Sequence, residues 1–246
     1  MKVIFLGTNG WYDTEIGNTV CALIETKNEY VILDAGVGLY KIDKYIKTKK
    51  PIYLFLSHFH LDHISGLHIL NKFDFSQGIN FYGPPGMKKY LSRVINKPYT
   101  VPIRKTKTKI RLNELHKKSL TPINVEFRKL KHSSICYGFR FILEGKSIAY
   151  CTDTGLCDNL FTLARDADLL ISGCSYKSGQ RDKSWPHLNP QDAALAAKKS
   201  RAKKLVLTHF TANLYSTIAS RKNAQKQAKK IFNNTFAAFD NMKMKI

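Results

Sequence analysis

Residues 57–66 read SHFHLDHISG and place three histidines and one aspartate within six positions. The whole chain of 246 residues contains only eight histidines, so this concentration strongly constrains what the chain can fold into. Imidazoles cluster in this way when several must point at one place, and the usual reason is a metal ion. The apolar run 53–56 (YLFL) precedes the cluster and is typical of a strand buried on both faces. The cluster is therefore expected on the loop at the end of a buried strand.

Three further side chains of the metal-binding type follow strand-like runs elsewhere in the sequence. His132 follows residues 125–131, Asp153 follows residues 147–151, and His209 follows residues 205–208. A single polar residue at a strand end is more often a cap or a hydrogen-bond partner than a ligand. A catalytic metal, however, needs several ligands that converge from different elements. Four strand ends with imidazole or carboxylate side chains therefore predict one metal site.

The length and composition of the chain favour one globular domain. A chain of 246 residues with 43% hydrophobic content can bury a full core, and we interpret it as a single domain spanning 1–246. Strand-like runs alternate with helical stretches, which favours an α/β fold with two sheets covered by helices. The five cysteines form no Cys-x-x-Cys pair and indicate buried thiols in a reducing compartment. The sequence shows no signal peptide and no membrane span, so we expect a cytoplasmic protein with no membrane partner.

The charge of the chain is strongly positive. Forty Lys and Arg residues against eighteen Asp and Glu residues give a formal net charge of +22. This surplus favours capture of polyanions such as nucleic acid, and the alternative is a solvated lysine-rich surface with no specific ligand. Residues 104–111 alternate cations with small or β-branched residues, which on a strand would set a row of positive charge along one face. The candidate nucleic-acid contacts are Arg104, Lys105, Lys107, Lys109 and Arg111.

The histidine and aspartate positions form a pattern with short glycine motifs near the start of the chain. The residues of this pattern are His58, His60, Asp62, His63, His132, Asp153 and His209, with Gly7-Thr8 and Asp34-Ala35-Gly36. The pattern resembles the metallo-β-lactamase superfamily over essentially the whole chain. Residues 153–155 (DTG) and 204–210 (KLVLTHF) are similar to the branch that holds ribonuclease Z and related phosphodiesterases. The resemblance implies an αββα four-layer sandwich with the site at one edge of the two sheets.

Carried over residue by residue, the resemblance implies a centre with two zinc ions, for which manganese or iron are alternatives. One ion would be held by His58, His60 and His132, the other by Asp62, His63 and His209, and Asp153 would bridge them. A water shared by two such ions becomes hydroxide near neutral pH, while the same ions accept the oxygens of a phosphodiester. Asp62 would orient that hydroxide and is the candidate catalytic carboxylate.

Residues 185–190 (WPHLNP) offer a proton donor for the leaving group. In the ribonuclease Z branch a His-Ser-Thr loop precedes a helix at the matching place, and its histidine assists at the phosphate. His187 is therefore the candidate general acid, and a helix-cap neighbour without a chemical role is the alternative. The branch also carries a strand glutamate that supports this histidine, whereas this chain has Gly173. Without a carboxylate partner the imidazolium is less favoured, which predicts a weaker proton donor.

The predicted activity is dinuclear zinc-dependent hydrolysis of a phosphodiester in RNA, single-stranded nucleic acid or a cyclic nucleotide. Long ribonuclease Z forms insert a basic arm between the residues that match His132 and Asp153, but here only twenty residues, one hairpin, separate them. Processing of transfer-RNA 3′ ends therefore does not follow from the resemblance. Two alternatives stay open: hydrolysis of a small carbonyl substrate such as a lactone, thioester or β-lactam, and metal-containing nucleic-acid binding with little turnover. Relatives with this site are commonly dimers, so a homodimer is one expected assembly.

Overall fold

A computed structural model describes residues 1–117 and 119–246. In these residues the strands are, in chain order, β1 (Lys2–Gly7), β2 (Asn9–Gly10), β3 (Cys21–Glu25), β4 (Tyr30–Leu33), β5 (Ile52–Phe55), β6 (Ile79–Gly83), β7 (Ile110–Glu114), β8 (Val125–Lys129), β9 (Tyr137–Leu143), β10 (Lys146–Cys151), β11 (Leu169–Gly173), β12 (Leu205–Thr208), β13 (Phe210–Thr211), β14 (Thr235–Ala237) and β15 (Lys243–Lys245). The short strands β2 and β13 pair with each other. The other strands form two large sheets.

The helices lie between the strands in the chain. The α-helices are α1 (Leu61–Ile64), α2 (Met87–Val94), α3 (Asp158–Ala164), α4 (Pro190–Lys199) and α5 (Ile218–Lys229), and the 3₁₀ helices are Val37–Lys44, Ser65–Lys72 and Ile103–Lys105. Two of these 3₁₀ helices occupy segments whose apolar spacing predicts α-helices, because apolar spacing does not distinguish the two helix types at this length. None of the helices in the described ranges has the length and apolarity needed to cross a bilayer.

Both large sheets combine antiparallel pairs with a run of parallel strands. The first sheet has the order β15-β1-β3-β4-β5-β6-β7, and β4 to β7 are parallel. The second has the order β14-β12-β11-β10-β9-β8, and β10, β11, β12 and β14 are parallel. Parallel strands place their carboxyl ends along one edge, where open α/β sheets commonly bind ligands. Each sheet therefore offers one such edge.

Three apolar layers hold the sheets and helices together. The middle layer lies between the two sheets, where the Phe55 ring packs edge-on against Phe139 and Phe141 at centroid distances of 5.4 and 5.0 Å. A second layer joins the first sheet to α2 and the 3₁₀ helices, and a third joins the second sheet to α3, α4 and α5. Helices therefore cover both outer faces, and the predicted α/β fold, an αββα sandwich, is confirmed. The five cysteines are free thiols; four of them are buried as predicted, whereas Cys157 is partly exposed.

One prediction about local structure is wrong. The sequence predicts that Arg104, Lys105, Lys107, Lys109 and Arg111 lie along one strand, but Ile103–Lys105 form a 3₁₀ turn and β7 begins only at Ile110. Thr108 is the physical reason, because its fully buried hydroxyl donates to the carbonyl oxygen of Phe73 at 2.8 Å and interrupts the extended run. The segment enters β7 at its amino end, whereas the histidine cluster follows the carboxyl end of the parallel strand β5. A role of these cations in nucleic-acid binding stays a prediction.

Candidate metal centre

Four strand ends bring ligand-type side chains to one edge of the sandwich. His58 follows β5 of the first sheet, while His132, Asp153 and His209 follow β8, β10 and β12 of the second. β8 is antiparallel to β9, and β9 is antiparallel to β10, so the three strands of the second sheet run in the same direction. Their carboxyl ends therefore meet at the same edge.

The cluster 58–63 gains its geometry from α1. This helix is a single turn that begins directly after His60 and contains Asp62 and His63. The turn places the side chains of His60, Asp62 and His63 at the strand ends, whereas Leu61 is exposed. The structure thus brings together every candidate metal ligand of the sequence: His58, His60, Asp62, His63, His132, Asp153 and His209.

Most of the donor atoms fall into two groups. In one group, the donor atoms of His58, His60 and His132 lie within 4.8 Å of one another, and Nε2 of His132 is 3.3 Å from Nδ1 of His60. The other group consists of Asp62, His63 and His209. In it, Nε2 of His209 is 3.2 Å from Oδ2 of Asp62 and 3.0 Å from Nε2 of His63.

Asp153 lies between the two groups. Its Oδ1 is 3.3 Å from Nε2 of His63 and 3.4 Å from Nε2 of His209, and its Oδ2 is 4.0 Å from Nε2 of His58. Its side chain is almost completely buried. One carboxylate therefore faces both donor groups.

These residues fit metal ions. Within the part of the chain that the structure describes, Nε2 of His58 and Oδ1 of Asp153 are buried without a hydrogen-bond partner, which is costly for polar atoms unless another ligand satisfies them. The facing Nε2 atoms of His63 and His209 cannot both donate a proton to each other. Donor atoms 3.0–3.4 Å apart also suit an ion that lies about 2 Å from each of them.

Burial keeps the first donor group in its neutral form. It lowers the pKa of His58, His60 and His132, and neighbouring imidazoles lower it further. A neutral imidazole has a free lone pair, which is the form that binds a metal. This group is therefore prepared for coordination near neutral pH.

The second donor group carries the negative charge of the centre. Burial raises the pKa of Asp62 and Asp153, but His63 and His209 outweigh it and hold both well below their usual range. Burial lowers the pKa of His63 and His209, but Asp153 together with the other carboxylates raises both above the ordinary value. Ionised carboxylates at this depth attract cations.

Asp34 is a supporting residue to which the sequence reasoning assigned no role. It follows β4 in the left-handed region with φ of 55° and is fully buried. Its Oδ1 accepts the Ser57 N–H at 2.7 Å, and its Oδ2 lies 2.8 Å from Nδ1 of His63. The Tyr150 hydroxyl donates to the same Oδ2 at 2.7 Å. Asp34 therefore orients His63 and joins the two sheets. Asp34 also follows a strand, so the argument that places His58 at the sheet edge applies to Asp34 as well.

His187 lies beside the centre on the loop before α4. Its Nδ1 is 3.2 Å from Oγ of Ser175 and 3.8 Å from Oδ2 of Asp153. Ser175 Oγ also lies 3.0 Å from Nδ1 of His209, so one hydroxyl contacts both histidines. Burial lowers the pKa of His187 to about 4, and Asp153 only partly opposes this.

Position 173 is occupied by glycine where the ribonuclease Z branch carries the supporting glutamate, and the backbone there admits only glycine. A Cβ on Gly173 would lie 2.0 Å from the carbonyl oxygen of Thr152, closer than any side chain can approach. The hydroxyl of Ser175 is the group that contacts His187 instead. A neutral hydroxyl does not stabilise an imidazolium as a carboxylate does, in line with the lowered pKa.

The centre opens into a cleft of about 750 Å³. Its walls include His60, Asp62, Asp153, His187 and His209, and also Trp11, Tyr176 and Trp185. The sequence gives Tyr176 weak support as a base-stacking residue and places Trp185 on the His187 loop, but it gives Trp11 no role, because the position of its loop depends on long-range packing. The cleft gives a substrate direct access to both donor groups.

The chain belongs to the beta-lactamase superfamily, whose domain model matches residues 29–210. It is a metal-dependent hydrolase of this superfamily. The chain is similar to the probable metallo-hydrolase YhfI of Bacillus subtilis, with 27% identity over 250 aligned positions that cover 95% of this chain and 94% of that protein. The crystal structure of YhfI superposes with a TM-score of 0.83, 25% identity and coverage of 99% and 98% of the two chains.

Two ribonucleases are also similar over the full length. Ribonuclease Z of Bacillus subtilis is 25% identical over 307 aligned positions that cover 100% of this chain and 99% of that protein. The short form of human tRNase Z superposes with a TM-score of 0.77, 25% identity and coverage of 100% and 99% of the two chains. The predicted resemblance to this superfamily and to its ribonuclease Z and phosphodiesterase branch is confirmed.

Proposed function

We propose that the protein is a two-metal phosphodiesterase acting on RNA, single-stranded nucleic acid or a cyclic nucleotide, as one catalytic domain spanning 1–246. One observation carries the proposal: Asp153 lies between two groups of donor atoms, at a cleft that also contains His187. A pair of ions suits a phosphodiester, because both the attacking and the leaving oxygen need stabilisation. Zinc is the proposed metal, with manganese or iron as alternatives, since imidazole and carboxylate ligands suit all three.

Each ion would have its own set of ligands in this chain. His58, His60 and His132 would hold one ion, Asp62, His63 and His209 the other, and Asp153 would contact both. When bound, the ions would lower the pKa of water towards neutrality and polarise the phosphoryl oxygens. The protein supplies the remaining functions, namely orientation of the water and protonation of the leaving group.

Asp62 would orient the attacking water. Its Oδ2 accepts the backbone N–H of Trp11 at 2.7 Å, which fixes the carboxylate, and the low pKa of Asp62 keeps it an acceptor at all pH values of interest. A fixed carboxylate acceptor holds the proton of the water and leaves the oxygen lone pair directed at phosphorus.

His187 would protonate the leaving oxygen through Nε2, because its Nδ1 faces Ser175 and Asp153. Burial lowers the pKa of His187 to about 4, which favours the neutral imidazole. A bound phosphodiester brings a negative charge next to the ring, which favours the imidazolium. His187 would therefore gain its proton together with the substrate.

The relatives and the charge of the chain support a nucleic-acid substrate. Two of the full-length relatives are a ribonuclease Z and a tRNase Z, and the formal net charge of +22 favours polyanions. The homodimer stays a prediction, and so does the cytoplasmic location.

The test is hydrolysis by protein of known metal content. We expect turnover of bis(p-nitrophenyl) phosphate and none of a lactone or a β-lactam. A labelled transfer-RNA precursor then distinguishes a nuclease from an enzyme that acts on small diesters. Asp62→Ala should lose one metal equivalent and reduce turnover by at least about 100-fold. His116→Ala is the matched control, because His116 is exposed and outside the centre, and it should change neither quantity. Turnover of the lactone or β-lactam alone would refute the proposal, and so would full activity of Asp62→Ala.

A further inference from the structure

Both tryptophans of the sequence lie on the wall of the metal cleft. The side chain of Trp11 is 66% exposed and that of Trp185 is 47% exposed. An indole is a large apolar surface that proteins usually keep highly buried, because its contact with water is unfavourable. Two exposed indoles on one catalytic cleft therefore indicate contact with a ligand rather than a role in the core.

Trp185 is held with one face towards the centre. Its ring stacks on the ring of His60 at a centroid distance of 5.3 Å and an interplanar angle of 6°. The Tyr176 hydroxyl donates to its carbonyl oxygen at 2.7 Å, and Oδ1 of Asp182 accepts its N–H at 3.3 Å. Because one face is covered by His60 and nearly half of the side chain is exposed, the opposite face is open to a second planar ring.

Trp11 is fixed by the same centre. Its backbone N–H donates to Oδ2 of Asp62, and its φ of 77° lies in the left-handed region. The Asn9 amide donates to the carbonyl oxygen of Tyr12 at 3.0 Å and ties down the residue that follows. The backbone of Trp11 is thus held by Asp62 and the ring of Trp185 by His60, so part of the conformational freedom that stacking of a ligand would cost is already lost.

We propose that Trp11 and Trp185 are specificity-determining residues that bind a nucleobase joined to the phosphate at the metal centre. The inference rests on the proposed function and adds that the enzyme selects nucleotide diesters over diesters of simple alcohols. Bases stack on an indole through their π-faces whatever their identity. Trp11 and Trp185, which we call the base clamp, therefore accept any base. The two residues act on binding of the substrate and not on bond cleavage.

The first test compares two ligands that differ only in the base. Adenosine 5′-monophosphate and ribose 5-phosphate are titrated into the metal-loaded protein by calorimetry, and we expect adenosine 5′-monophosphate to bind roughly tenfold more tightly, as for one base–aromatic stack. Because the protein has no tryptophan outside the cleft, quenching of its indole emission by the nucleotide locates the base. Ribose 5-phosphate should leave the emission unchanged.

Variants separate stacking from a structural role. We expect Trp185→Ala and Trp11→Asn each to raise KM for a dinucleotide roughly tenfold. Asparagine is used at position 11 because it tolerates a positive φ. Metal content and kcat should stay within about twofold, because the scissile phosphate is still held by the centre. Trp185→Phe should restore most of the affinity. Tyr99→Ala is the control, since Tyr99 is 76% exposed and outside the cleft, and it should bind as the wild type does.

Three outcomes would overturn the inference. Equal affinity for the two ligands, with hydrolysis of bis(p-nitrophenyl) phosphate intact, would refute the clamp and leave the proposed function standing. Loss of metal from Trp185→Ala with unchanged KM would show that Trp185 only supports His60. Absence of phosphodiester hydrolysis by the wild-type holoenzyme would refute the proposed function and the clamp together.

Discussion

Replacement of Asp34 by asparagine tests how the centre is prepared for a metal. Oδ1 of Asp34 accepts the Ser57 N–H, and an asparagine oxygen would keep that bond. The amide nitrogen would then stand where Oδ2 receives the hydroxyl of Tyr150 and faces Nδ1 of His63 at 2.8 Å. A donor in that place forces Nδ1 of His63 to accept, so the imidazole proton must move to Nε2. That atom faces His209 at 3.0 Å and is the one proposed to bind the metal.

The magnitude follows from this change of tautomer. Loss of a supporting partner of a metal-binding histidine typically weakens metal affinity or activity by about 10- to 100-fold. This range corresponds to about 1.4–2.7 kcal/mol of metal-binding free energy. The fold should survive, because asparagine has the same shape and tolerates the left-handed backbone that Asp34 adopts. The assay is competition for zinc against a chromophoric chelator, with circular dichroism to verify the fold.

Tyr150→Phe is the matched control. It removes one donor from the same oxygen of Asp34 but leaves the proton of His63 where it was. We expect zinc affinity within about threefold of the wild type and a free energy of unfolding lower by about 1 kcal/mol. If Asp34→Asn keeps its fold and binds zinc as tightly as the wild type does, the proposed role of Asp34 is refuted.

Two further substitutions test contacts at and away from the centre. The Cβ of Gly10→Ala would lie 2.5 Å from Cε1 of His209, so the imidazole ring must shift. We expect kcat to fall by about 100-fold, and wild-type turnover would contradict this. Burial raises the pKa of Asp168, but the Ser147 backbone N–H and the Lys203 ammonium lower it to about 2. Because this pKa is lower in the folded chain than in the unfolded chain, the carboxylate stabilises the fold above about pH 4, and this stabilisation is lost as the pH falls towards 2. Asp168→Asn should therefore lower the free energy of unfolding by about 1–2 kcal/mol at pH 7 and by less at pH 3. Urea unfolding measures both differences, and equal values at the two pH values would contradict the stabilising role of the Asp168 carboxylate.

The fold and the donor residues of the centre follow from the sequence because both depend on local patterns. Buried parallel strands read as continuous apolar runs, and the polar residue after each run must lie at the sheet edge. His58, Asp153 and His209 are placed correctly by this argument alone. The same argument applies to Asp34, which follows β4 and belongs to the family pattern, but an isolated aspartate does not by itself indicate that it orients a metal ligand.

The rest of the site depends on contacts that no local pattern encodes. Ser175 contacts His209 across 34 positions of the chain, and Trp11 reaches Asp62 across 51. The prediction of a row of cations at 104–111 is wrong for a related reason, since strand alternation does not account for Thr108, whose hydroxyl is buried against another segment. Long-range packing decided each of these cases.

The candidate ligands come from both sheets: His58, His60, Asp62 and His63 from the first, and His132, Asp153 and His209 from the second. Bound ions would therefore act as cross-links between the two halves of the sandwich, so metal release and separation of the sheets are one linked equilibrium. A chelator should make the interface between the sheets easier to open, and any opening of that interface should release the ions. On heating, the enzyme would accordingly lose its activity before it loses its strands and helices.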